Sequence, residues 1–201
     1  TRSADLDAAK MRPFYVEVRP VRDQRGRLTR EWCAIVPLAT SGGGEEIIPL
    51  TTMDPHVISI DPAASDEPGS ARTAILWAAR DRPTGRRFWI ECIADRWAAD
   101  SGRAEAAIVD LLARIVDQTG RVPKLALEKV AAQGYLASAI KHLAAARHIR
   151  VGEPELIKPV KGLAKDDRIR RKLGFPLSQD LIYVRAGLQL PRTEARHFPT
   201  G

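Results

Sequence analysis

Two short runs of this sequence close on a carboxylate. In HVISID, residues 56–61, Val57, Ile58 and Ile60 are β-branched and the run ends at Asp61, with Pro62 behind it. In KLALE, residues 124–128, Leu125, Ala126 and Leu127 lead into Glu128. β-Branched and leucine-rich runs of this length suit short buried strands. A charge at a buried strand tip is costly unless something positive meets it there: a helix N-terminus, a basic side chain or a metal ion. If the two strands are parallel neighbours, the carboxylates stand side by side and repel unless a cation bridges them. Hard oxygen ligands suit Mg2+ or Mn2+. Two such ions, roughly 3.5–4 Å apart, are the apparatus that hydrolyses phosphodiesters. Singly, each acid also has a plainer reading. Asp-Pro commonly forms an Asx turn or helix cap, and Glu128 beside Lys129 suits a surface ion pair.

The elements around these acids alternate in a readable way. Residues 1–12 read as a polar, partly helical lead-in. FYVEVRPVRDQRGRLTREWCAIVPL then gives a β-hairpin turning at Gly26. TSGGGEE is a loop, and it lacks the Lys-Ser/Thr of a phosphate-binding loop. After the Asp61 strand come TAILWAA, a turn at DRPTGR, and RFWIECIA, all with strand character. Asp100, Ser101 and Gly102 open a helix whose apolar side carries Ala107, Ile108, Leu111, Leu112, Ile115 and Val116. The Glu128 strand, a helix over AQGYLASAIKHLAAARH, a strand in PELIKPV, a helix in AKDDRIRRKLG and a closing strand in LIYVRAGLQL complete the chain. Three strands followed by alternating helix and strand predict a mixed α/β sheet flanked by helices.

The bulk numbers narrow the partner. The 201 residues carry 32 Lys and Arg against 25 Asp and Glu, a net charge of +7. That surplus favours a polyanion such as nucleic acid. Cys33 and Cys92 stand far apart, with neither metal nor disulfide spacing. No apolar run is long enough for a membrane, so neither a signal peptide nor a spanning helix is expected. Lys158, Lys161, Lys165, Arg168, Arg170, Arg171 and Lys172 make one segment strongly basic. It reads either as a DNA-backbone face or as a solvated helix. Asp166 and Asp167 suit the first turn of that helix. The four tryptophans fall in apolar segments and read as core, as does Tyr135 as packing. His142 and His148 read as surface residues, and the four histidines have no metal spacing.

Taken in order, ISIDPAAS…RTAILWA, LALEKVAAQGYLASAI, KDDRIRR and the closing ARHFPTG resemble the C-terminal nuclease domain of the large terminase subunit of tailed bacteriophages. That resemblance covers about residues 56–201. It implies a ribonuclease H-like sheet, with residues 1–55 as a lead-in and β-hairpin extension. It further implies an endonuclease of phage DNA packaging that cleaves concatemeric double-stranded DNA with two Mg2+ or Mn2+ ions. Asp61 and Glu128 would be the catalytic metal ligands, and Lys165 and Arg168 the recurrent DNA-contacting positions. An upstream ATPase domain, the portal and the small terminase subunit would be partners in the host-cell cytoplasm, with no membrane. Ala71-Arg72 stands where the family places a further Asp, and its third acid is expected just beyond Gly201. Asp180 and Glu194 are poor substitutes, lying in a turn and a charged loop. Within the same fold, a Holliday-junction resolvase or transposase-like nuclease is the alternative. Outside it, the alternative is a domain that binds DNA or packaging partners without cutting.

Overall fold

The structure, a computed structural model, describes residues 11–23, 25–39, 43–62, 73–97, 102–128, 133–157, 176 and 179–188. From His56 the chain lays down an antiparallel meander: β4 (His56–Asp61), β5 (Thr73–Arg80) and β6 (Arg87–Asp95). Helix α1 (Arg103–Thr119) leads into β7 (Lys124–Glu128), and α2 (Gln133–Ala146) into β8 (Glu155–Ile157). Both of these strands are parallel to β4, giving the order β6-β5-β4-β7-β8. Three antiparallel strands extended on one side by helix-linked parallel strands form a ribonuclease H-like α/β arrangement, as the order of elements predicts. The helix expected in AKDDRIRRKLG and residues 1–10 of the expected 1–12 lead-in lie outside the described residues, and Arg12 at its end is already strand.

Alternation along the strands decides which face is core. His56, Ile58 and Ile60 are buried while Val57, Ser59 and Asp61 are not. Ile58 and Ile60 stand in register with Trp77 and Ile75 of β5 and with Leu125 and Leu127 of β7. This face receives α1, whose stripe Ile108, Leu111, Leu112 and Ile115 is fully buried in the same cluster. Arg114 of α1 reaches Glu91 of β6, 2.5 Å away, on the same side. Gly102 and Gly120 bound α1 in left-handed backbone conformations, with the Gly120 N–H donating to the Val116 carbonyl.

The N-terminal hairpin is present as β1 (Arg12–Arg22) and β2 (Leu28–Pro37), turning at Gly26 with φ +76°. A further strand not evident in the sequence, β3 (Glu45–Pro49), adds to β2. Strand β9 (Ile182–Arg185) pairs in parallel with both β6 and β1, so the N-terminal strands continue the sheet. Only Arg12–Phe14 of β1 make that junction. Side-chain contacts show where β2 and β3 then go. Glu46 meets Arg86 at the β5–β6 turn (2.5 Å), the Leu50 carbonyl meets His56 (3.0 Å), and the Thr51 carbonyl accepts from Arg121 after α1 (2.9 Å). β3 and the 3-10 turn Leu50–Thr52 therefore run across the end of the sheet where β4, β6 and β7 begin, and close the core there.

Candidate metal centre

Asp61 is the last residue of β4 and Glu128 the last of β7. The strands are parallel and registered through Val57–Lys124, Ile58–Leu125, Ser59–Ala126 and Ile60–Leu127. The next pair in that register is Asp61 and Glu128. Their backbones are thus separated by about 4.8 Å, the spacing of adjacent strands. Because Ile60 and Leu127 both face α1, both carboxylates project from the other face. Each is half-buried and each has interaction partners. On the other side of Asp61, the same row of the sheet continues through Ala74 and Ala94. Both of those positions carry only a methyl side chain. The sequence contains those alanines but gives no sign of their place in the row.

The opposite end of β4 is fixed by a buried polar chain. His56 is 2% exposed. Trp77 donates from Nε1 to His56 Nδ1 at 3.2 Å, so the remaining ring hydrogen is on Nε2, facing the Leu50 carbonyl. This assignment makes the imidazole neutral. Burial lowers its pKa below the ordinary histidine value, with Arg121 adding to the shift while the Leu50 carbonyl and Asp54 oppose it. His56 is thus a structural anchor on the strand that carries Asp61.

The other sequence expectations separate clearly. Among the described residues, no three of His, Cys, Asp and Glu gather closely enough to hold an ion. Asp180 precedes β9 and pairs with Arg12 at 3.0 Å. Since β9 runs parallel to β6, and so in the direction of β4, Asp180 sits at the end of the sheet away from Asp61. It is not a ligand beside Asp61. Lys165, Arg168 and Glu194 lie outside the described residues. Tyr135, expected as packing, is instead 68% exposed in the first turn of α2. The buried stripe falls on Leu136, Ile140 and Ala144, one position away. Trp77 is core and Trp32 and Trp97 pack against the core cluster, whereas Trp89, also expected as core, is half-buried and outside that cluster; His142 and His148 are exposed, as the sequence suggested. Both cysteines are unpaired. Among the described residues no helix is long and apolar enough to cross a membrane.

No protein-family model and no curated protein matches the sequence. Among solved structures, the chain is similar to the nuclease domain of the large terminase, g2p, of bacteriophage SPP1 with bound Mn. The sequences are 12% identical, and the TM-score is 0.41. The match covers 68% of this chain and 63% of that one.

Proposed function

We propose that this chain is a metal-dependent endonuclease domain of the kind that serves phage DNA packaging, cleaving double-stranded DNA. One observation carries the reading: two carboxylates, distant in sequence, leave adjacent parallel strands at the same end and on the same face. That donor set suits Mg2+ or Mn2+, because both ions prefer hard carboxylate oxygens. When bound there, divalent ions would supply a water of lowered pKa and positive charge beside the leaving oxygen. Asp61 and Glu128 would hold and orient the ions.

Lys165 and Arg168 belong to this proposal as phosphate-positioning residues. Their part in it rests on the sequence resemblance. Packaging partners and the location in an infected cell rest on the sequence resemblance.

The test is nicking of supercoiled plasmid in Mn2+, with Asp61→Asn and Glu128→Gln as comparisons. Metal-dependent nicking that both substitutions abolish, with unchanged melting temperature, is the expected result. Full activity in both variants would end the nuclease reading. A shifted but intact plasmid with the unaltered protein would favour the non-cutting alternative, and preferential cleavage of four-way junctions would favour a resolvase.

A further inference from the structure

The outer part of the N-terminal hairpin has contacts unlike the rest of the sheet. Strand β9 supports β1 at Arg12–Phe14, and β3 supports β2 at Cys33–Pro37. Val16 and Trp32 still pack against the core. The last tie is Glu31, whose carboxylate accepts from Thr51 Oγ1 at 2.6 Å beside the 3-10 turn. Beyond it the pairs Pro20–Arg30, Val21–Thr29 and Arg22–Leu28 have only each other as strand partners among the described residues. Three ladder steps carry the tip on the order of 10 Å past that tie.

This arm is basic and its turn is preorganised. Residues 19–31 hold five arginines and two acids. The Asp23 carboxylate accepts from the backbone N–H groups of Arg25 (2.9 Å) and Arg27 (2.8 Å), and from the Arg27 guanidinium (2.9 Å). Those bonds, the Arg27 backbone bond foremost, hold Asp23 below the usual carboxylate range. Both acids are thereby engaged within the fold, Asp23 by the turn and Glu31 by Thr29 and Thr51. Arg25 and Arg30 form no ion pair among the described residues, and Arg22 bonds only the Gly26 carbonyl. Alternation puts Arg22 and Arg30 on one face of the ribbon, with Arg25 at the tip; all three are exposed.

The geometry points to a second nucleic-acid contact: Arg22, Arg25 and Arg30 of the projecting β-arm grip the phosphate backbone of duplex DNA, at the end of the sheet opposite Asp61 and Glu128. The choice of a duplex rests on the endonuclease reading above, while the charge and rigidity of the arm stand without it. Arginine matches phosphate oxygens in paired geometry, and a turn already ordered spends little entropy on docking. The full length of β4, roughly 20 Å, separates the arm's root from the acids. Its contacts therefore fall on a different stretch of backbone from the one being cut.

The experiment is fluorescence anisotropy with a labelled mixed-sequence duplex, in EDTA so that no cleavage is involved. R22Q/R25Q/R30Q is compared with the unaltered chain over a salt series. The triple variant should bind at least tenfold more weakly at low salt, alike for different sequences. Its log–log salt slope should fall by about 2 to 3, the loss of three phosphate contacts. R22K/R25K/R30K should keep most of the slope, since it keeps the charge. Should the triple variant melt early, Arg25→Gln alone carries the test, with a slope change of about 1. Unchanged affinity and slope would overturn the proposal, and so would tighter binding to single-stranded RNA than to the duplex. Absence of nicking, by contrast, would remove the nuclease reading and leave this result untouched.

Discussion

Replacing His56 with Phe should cost roughly 2–4 kcal/mol and remove an acid sensitivity from the fold. The ring occupies a buried site between two groups that need it: the Leu50 carbonyl at 3.0 Å and the Trp77 N–H at 3.2 Å. Phe fills similar volume but satisfies neither. An unpaired buried donor or acceptor costs about 1–3 kcal/mol, so two would cost about 2–6. The lower part of that range applies because Trp77 and Leu50 keep their apolar packing against the new ring. The pH dependence follows from the direction of the shift. Burial holds His56 below the ordinary value, so the unfolded chain takes up its proton first as pH falls. This part of the stability is complete above the unfolded pKa of about 6.5 and is lost as pH drops from there toward the folded value. Urea unfolding at pH 7.5 and pH 5.5 measures both effects. The unaltered protein should lose stability between those pH values by more than His56→Phe does. A variant within 0.5 kcal/mol of the parent at pH 7.5, roughly the noise of surface substitutions, would refute the buried network. An equal acid loss in both proteins would refute its neutral state.

Two further outcomes follow from the same core. Ile60→Ala, beneath Asp61 and fully buried, should destabilise by about 2–5 kcal/mol in urea unfolding while sparing the register that places the carboxylate. Burial raises the thiol pKa of both cysteines, yet Cys33 is sealed and Cys92 is partly accessible. A thiol-reactive dye should therefore label Cys92 slowly in the folded protein and reach Cys33 only on unfolding.

Much of this arrangement was legible because local pattern and tertiary role agreed. The β-branched run before Asp61 and the leucine-rich run before Glu128 are strands inside the sheet, as their apolar character predicts. Parallel pairing of β4 with β7 is only a condition in the sequence; the helix between β6 and β7 accounts for the direction of β7, and the structure supplies its place beside β4. The residues that escaped notice are those whose role is set by distant partners. Glu45–Pro49 has two acids, a proline and a preceding glycine run, poor strand signals that pairing with β2 overrides. Nothing local marks Leu50 as the acceptor for His56, or Glu46 as the partner of Arg86. Tyr135 reads as packing from its place at a helix start, yet the buried stripe beginning at Leu136 turns the ring outward.

The two ends of β4 now have complementary jobs. At its start, β3 and the Leu50–Thr52 turn close the core, and His56 is held by hydrogen bonds to Leu50 and Trp77. At its end stands Asp61, level with Glu128. Because side chains alternate, slipping β4 by one residue against β5 and β7 would send Asp61 to the α1 face. There it would displace an isoleucine from an apolar layer containing Ile75, Ile108 and Leu127. The same slip would separate His56 from both of its partners. Either loss alone costs several kcal/mol, a large fraction of what keeps a domain folded. The buried histidine at one end and the isoleucines between therefore act together to hold a carboxylate, five residues along, where a neighbouring strand delivers its own.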